Sequence, residues 1–258
     1  MIEILLAIFF ITVLLLFLSS GIWVAISMIG VSSIGMILFT SRPVGDAMAT
    51  TIWGASSSWT LTALPLFVWM GEILFRTKLS ENLFEGLAPW LQKLPGGLIH
   101  VNVVGCALFA AISGSSAATV ATVGKMSIPE LRKRKYPEKI LLGSLAGSGT
   151  LGLLIPPSII LIIYGVTVQE SIAKLFIAGI IPGIMIALIF MGYVIIWSLL
   201  NKNKMPLTEE NYSFLNKLSK SKQLIPVILL ILGVIGSIYT GIATATEAAS
   251  LGVVGALI

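Results

Sequence analysis

Apolar residues in this chain gather in long unbroken runs, with little of the alternation that marks half-buried strands or amphipathic helices. The runs cover residues 2–18, 21–40, 61–75, 97–112, 117–126, 140–155, 159–168, 172–200, 224–239 and 248–258. A helix that crosses a bilayer needs about 20 apolar residues, and the runs at 2–18, 21–40, 61–75 and 172–200 are predicted to span. The short runs come in pairs and say more. Runs 97–112 and 117–126 are parted by Ser113-Gly114-Ser115-Ser116, and runs 140–155 and 159–168 by Pro156-Pro157-Ser158. Proline lacks an N–H and disfavours helix in the residue before it, so the second pair is predicted to be one broken helix. The first pair predicts two half-length helices folded back on each other.

Composition agrees with a membrane protein. Hydrophobic residues are 57% of 258 and charged residues 10%, whereas a soluble domain carries about 25% charged residues. Mean hydropathy is +1.02, so there is too little charge to coat a wet surface. The net charge of +5 sits in short clusters between apolar runs, as in cytoplasmic loops and unlike a nucleic-acid surface. Cys106 and His100 are the single cysteine and histidine, which leaves no disulfide framework and no zinc ligand set. The first run has Glu3 as its only charge and neither a basic lead-in nor a small-residue cleavage site, so it reads as a spanning helix rather than a signal peptide.

The basic clusters orient the chain. Arg132-Lys133-Arg134-Lys135 with Lys139, and Lys202, Lys204, Lys217, Lys220 and Lys222, are both expected on the cytoplasmic side. The broken helix over 140–168 and the helix over 172–200 supply the two crossings needed between them. Arg76, Lys78 and Lys93 flank an amphipathic stretch, 79–94, expected to lie along the same face. Residues 97–126 must then enter and leave on one side, as a re-entrant hairpin does. Counting back places the N-terminus outside, with Arg42 outside against the rule.

Three clusters of small and polar residues fall at membrane depth. They are Ser113, Gly114, Ser115, Ser116 and Thr119; Gly147, Ser148, Gly149 and Thr150 with Pro156, Pro157 and Ser158; and Thr244, Thr246 and Glu247. Lipid cannot hydrogen-bond to backbone, so non-helical chain at that depth must be buried in protein or line a watery cavity. Freed carbonyls and hydroxyls suit a small hard cation such as Na⁺, expected at 113–116 and 147–150. The N-termini of half-helices suit a carboxylate. Small residues also let membrane helices approach closely, and Ser and Thr often bond back to their own helix. Three clusters, two of them flanked by half-length helices, favour a site.

Other residues read more plainly. Glu247 serves either the unwound segment and its ion or the cap of the helix that follows. Glu72 is spaced to pair with Arg76. Lys125 and Lys174 are expected to snorkel, and Trp53, Trp59, Trp69 and Trp90 to anchor at interfaces. His100 reads as an interfacial or packing residue, thirteen positions from Ser113 and too far along a helix to serve it as general base. An intramembrane serine hydrolase using Ser113, Ser115 or Ser116 is therefore disfavoured, and no enzymatic activity is expected. Gly124-Lys125-Met126 lacks the spacing and the hydroxyl of a phosphate loop.

Leu64-Pro65-Leu66-Phe67-Val68 with Met70-Gly71-Glu72, Ile112-Ser113-Gly114-Ser115-Ser116-Ala117-Ala118-Thr119, Ala146-Gly147-Ser148-Gly149-Thr150-Leu151-Gly152, Ile155-Pro156-Pro157-Ser158 and Gly241-Ile242-Ala243-Thr244-Ala245-Thr246-Glu247-Ala248-Ala249 carry a resemblance across essentially all 258 residues. Through them the chain resembles the DctM-like large membrane subunit of TRAP, or tripartite ATP-independent periplasmic, transporters. The resemblance implies an elevator-type carrier of inverted repeats in the bacterial inner membrane. It also implies Na⁺-driven uptake of carboxylates such as C4-dicarboxylates or sialic acids. The implied partners are a small four-helix membrane subunit and a periplasmic solute-binding protein; a related carrier without a binding protein is the alternative, and H⁺ stays open in place of Na⁺. No resident cofactor is implied.

The expected fold class is thus all-α integral membrane: a multi-span helical bundle with a re-entrant hairpin and a broken helix, the first half of such a transporter. Its segments are 1–96, spanning helices and interfacial arm; 97–168, hairpin and broken helix; 169–222, a spanning helix and basic loop; and 223–258, the start of a second repeat. Ile258 falls inside an apolar run, so the chain reads as truncated.

Overall fold

The structure, a computed structural model, describes residues 2–206 and 212–257, with the backbone alone at residues 2 and 79–81. Part of the predicted basic loop, 207–211, and Ile258 lie outside the described residues. Every regular element among the described residues is helical. The chain forms two compact units, Met1–Ser57 and Ser58–Ile258.

The first unit holds α1 (Ile2–Ser19), α2 (Val24–Phe39) and α3 (Val44–Ser56). Phe9, Phe10 and Phe39 join α1 to α2 edge to face, with ring centroids 5.5–6.2 Å apart. Most other large apolar side chains of α1 and α2 are exposed, an arrangement that suits lipid as the surrounding solvent. The apolar runs did not reveal α3. Gly45, Asp46, Thr50, Thr51 and Gly54 dilute its hydropathy, although Asp46 in its first turn favours the helix dipole.

The second unit is built around α6 (Ile99–Ser113), a helix buried on nearly every side. Around it stand α4 (Ala63–Arg76), α5 (Leu79–Leu91), α7 (Ser116–Lys133), α8 (Glu138–Gly149) and α10 (Ile172–Leu200). Phe67, Leu83, Phe109, Val123, Leu141 and Phe176 fill the space between them and are fully buried. A short helix α9 (Ile159–Val168) follows the predicted break, and α11 (Phe214–Ser221), α12 (Ile225–Tyr239) and α13 (Ala245–Leu257) complete the unit. Two helical stretches, Ile172–Leu200 and Phe214–Tyr239, are each long and apolar enough to cross a membrane.

Helix α6 turns back into α7 at Gly114, so the predicted hairpin is present. Its second arm outruns the apolar stretch 117–126: α7 continues to Lys133 through Pro129, because Glu130, Leu131, Arg132 and Lys133 are good helix formers. Helix α11 lies inside the predicted basic loop. Its Phe214 packs edge to face on Trp90, whose indole Nε1–H donates to Ser221 Oγ at 2.8 Å. Trp90 is thus a docking residue between α5 and α11 as well as a partly exposed aromatic. The stretch read as an interfacial arm, α5, buries Leu83, Phe84 and Leu87 in the core.

The basic segments of this unit gather where α6 begins. Ile99, Ile140 and Val194 pack together there, flanked by Tyr136, Trp197 and Met205. The Leu98 N–H donates to the Tyr136 hydroxyl at 3.1 Å, which ties the α7–α8 turn to the start of α6. Burial pushes the Tyr136 phenol up, against the Leu98 bond and the Arg134 charge that pull it down, so it stays protonated at neutral pH. Tyr136→Phe orphans that N–H and is expected to cost about 1–3 kcal/mol. Thermal unfolding of the full-length permease measures this, and an unchanged midpoint contradicts it. The exposed pairs Arg132–Glu138 and Glu72–Arg76, both at 2.8 Å, contribute little.

Candidate functional site

The hairpin tip and the helix break, separate in sequence, come together in space. Gly114 caps α6 with φ +61°, the left-handed region that glycine enters without cost. Its carbonyl accepts a hydrogen bond from the Ile159 N–H at 3.2 Å, the first residue of α9. A Cβ on Gly114 would stand 2.7 Å from the Pro157 carbonyl oxygen. On the other side of the tip, a Cβ on Gly152 would stand 2.9 Å from the Ser116 nitrogen. Only glycine permits both approaches.

The break is built as the prolines demand. Helix α8 ends at Gly149, a 3₁₀ turn covers Thr150–Leu153, and α9 starts at Ile159. The Pro156–Pro157 peptide is cis. Two serines hold the new helix starts: Ser115 Oγ accepts from the Ala118 N–H at 3.4 Å and Ser158 Oγ from the Leu161 N–H at 3.5 Å. Ser158 also donates to the Leu153 carbonyl at 2.7 Å.

Four helix ends therefore meet at one place. The N-termini of α7 and α9 bring positive partial charge, and the C-termini of α6 and α8 bring negative partial charge. Such a junction can accept an anion against the first pair and a cation against the second. The 15 residues of α6 place the junction about 22 Å from the basic end. That depth lies inside the roughly 30 Å hydrocarbon layer if the basic end sits at its boundary.

The hydroxyls divide into two groups. Ser113 Oγ and Thr119 Oγ1 are buried and 3.0 Å apart, and Thr119 Oγ1 donates to the Ser115 carbonyl at 2.8 Å. These partners are committed. Ser116 Oγ and Ser148 Oγ are buried and have no partner among the described residues. Ser148 lies beside Gly149, whose nearest neighbours include Val120 and the Ser116 carbonyl. An unpaired hydroxyl in an apolar interior costs free energy, and Thr122 and Ser127 of α7 carry buried hydroxyls without a partner among the described residues as well.

Other sequence-predicted positions lie apart or are occupied. Thr150 Oγ1 donates back to the Gly147 carbonyl at 2.7 Å and is exposed. Thr244 and Glu247 form a reciprocal cap of α13: the Thr244 N–H and hydroxyl each donate to Glu247 Oε2 at 2.8 Å, and the Glu247 N–H faces Thr244 Oγ1 at 3.4 Å. Thr246 is buried in the first turn of α13. His100 is buried at the far end of α6, its Nε2 2.8 Å from the Pro95 carbonyl. Its Nδ1 has no partner among the described residues. Gly152, in the quoted motif but not among the predicted site residues, proves to be a contact point of the junction.

A family model described as "Tripartite ATP-independent periplasmic transporter, DctM component" matches residues 11–258. The chain is 34% identical over 226 residues to the C4-dicarboxylate TRAP transporter large permease protein DctM of Pseudomonas aeruginosa, covering 88% of the chain and 52% of that protein. It is 35% identical over 239 residues to the isethionate TRAP transporter permease protein DctMQ of Oleidesulfovibrio alaskensis, covering 92% and 37%. It is 34% identical over 234 residues to the sialic acid TRAP transporter large permease protein SiaM of Vibrio cholerae, covering 90% and 53%. The chain thus spans about half the length of these curated relatives, or less.

Proposed function

The chain belongs to the DctM family of TRAP transporter components, and from that premise we propose that it supplies the first half-site of a Na⁺-coupled permease for small organic anions. The carrying observation is the meeting of four helix ends at Gly114 and 150–158, with Ser116 and Ser148 hydroxyls left unpaired beside it. Na⁺ sits against the two C-terminal ends and those hydroxyls; no step of transport needs a covalent bond. The substrate carboxylate, C4-dicarboxylate or sialic-acid-like, is held by the α7 and α9 N-termini. The names of the relatives include dicarboxylate, sialic acid, isethionate and ectoine, each of which bears a carboxylate or sulfonate at neutral pH, which supports a cup for an anionic group over one tuned to a single solute.

In this reading the basic end faces the cytoplasm of a bacterial inner membrane, and the N-terminus faces the periplasm. A small membrane subunit and a periplasmic solute-binding protein complete the system, and α6–α9 move as part of an elevator-type transport body. The test uses the full-length permease with its partners in proteoliposomes. Uptake of succinate or sialic acid is expected under an inward Na⁺ gradient and to fall to background with K⁺ outside. Undiminished uptake without any cation gradient contradicts the proposal.

A further inference from the structure

A second polar cavity opens at the basic end of the larger unit, away from the hairpin tip. It has a volume of about 540 Å³ and lies between α5, α7, Tyr212 and Lys220 of α11. Among the described residues, Lys125, Arg134 and Lys220 reach it, with Glu85 and Glu130. Arg134 Nε is 2.8 Å from Glu130 Oε1, and Glu85 Oε2 accepts from the Gln223 side chain at 3.1 Å. Lys125 and Lys220 form no ion pair among the described residues. Their ammonium groups rest on aromatic faces, Lys125 5.2 Å from the centre of the Phe75 ring and Lys220 4.7 Å from that of Tyr212.

The rest of the lining is apolar, from Phe84, Ala88, Met126 and Pro129. One wall is therefore greasy and the other polar, with the Lys125 and Lys220 ammonium groups outside any ion pair among the described residues, a combination that suits a molecule with both characters better than a free ion. The cavity also sits where α7 passes from its apolar stretch into Glu130, Arg132 and Lys133, the change from apolar to charged residues that marks a membrane boundary in the orientation proposed above. Beside it α11 exposes Phe214, Leu215 and Leu218 and carries Lys217 and Lys220. Short basic amphipathic helices of this kind lie on anionic bilayer surfaces.

We propose that this cavity is a binding site for an anionic phospholipid, its phosphate between Lys125 and Lys220 and its glycerol backbone on the apolar wall. The bound lipid pins α5 and α11 to the hairpin base from the membrane side. This site is independent of the transport reading above, since none of its residues belongs to the junction.

Native mass spectrometry of the full-length permease in micelles doped with equal amounts of dioleoylphosphatidylglycerol and dioleoylphosphatidylcholine tests the assignment. Preferential retention of phosphatidylglycerol is expected. Each basic side chain near an anionic surface is worth about 5-fold, so the double substitution Lys125→Gln/Lys220→Gln is expected to lower that preference about 25-fold. The two single substitutions carry the test if the double variant fails to fold. Lys93→Gln, an exposed lysine outside the cavity, should leave the preference unchanged. The proposal is overturned by equal retention of both lipids in the unsubstituted protein, or by an equal loss in Lys93→Gln. Displacement of the lipid by millimolar inorganic phosphate or glycerol phosphate would overturn it too, by making a soluble phosphate the ligand.

Discussion

Gly114→Ala is expected to destabilise the full-length permease by about 2–5 kcal/mol and to abolish uptake. Two costs add. A left-handed non-glycine residue costs about 1–2 kcal/mol, and forcing a methyl into a filled space costs about 1–3 kcal/mol. The methyl would stand 2.7 Å from the Pro157 carbonyl, a backbone atom that cannot rotate away. It would also push the tip off α9 and break the Ile159-to-Gly114 hydrogen bond. Gly143→Ala is the matched control. That glycine is within α8 with open space around it, so the same change should stabilise the helix by about 0.5–1 kcal/mol. Thermal melting in detergent reads both signs, and similar melting of the two variants contradicts the junction.

Ser116→Ala with Ser148→Ala should separate stability from transport in the opposite way. Both hydroxyls are buried and unpaired, and removing such a group relieves a desolvation cost of about 1–3 kcal/mol per oxygen. The double variant should therefore melt at or above the temperature of the unsubstituted protein in Na⁺-free buffer. Its half-saturating Na⁺ for uptake should rise about tenfold or more, since a loss of about 1.4 kcal/mol in ion binding is tenfold in affinity. Thr150→Ala, which removes a hydroxyl bonded to its own turn, should leave that Na⁺ requirement in place. A double variant that takes up substrate with normal Na⁺ dependence would return these serines to mere packing.

Where solid apolar runs meet strong punctuation, the helices could be read directly. Runs 159–168 and 172–200 coincide with α9 and α10, because Ser158 and Ser171 cap their starts. The hairpin turn was equally legible, since Gly114 is the residue that a left-handed cap needs. Helix α3 stayed hidden because its threonines and glycines resemble loop composition, and α11 because its lysines resemble a basic loop. Thr244-Ala245-Thr246-Glu247 carries the signature of a capping box, and the structure uses it as one. What no pattern along the chain could reveal is which hydroxyls stay free. Ser116 and Thr150 look alike in sequence, yet one is unpaired and the other is tied to its own turn. Nor could local pattern bring Gly152 against Ser116, a contact made only when the hairpin closes on the break.

Melting of the full-length permease in NaCl and in KCl at equal ionic strength probes the cation cup without partners or substrate. A ligand that binds only the folded state stabilises it by about 2.7 kcal/mol at a hundred times its dissociation constant. The melting temperature should be higher in NaCl, and Ser116→Ala/Ser148→Ala should lose at least half of that rise. Identical melting in the two salts, or a full Na⁺ response in the double variant, would mean that the meeting of tip and break holds no ion.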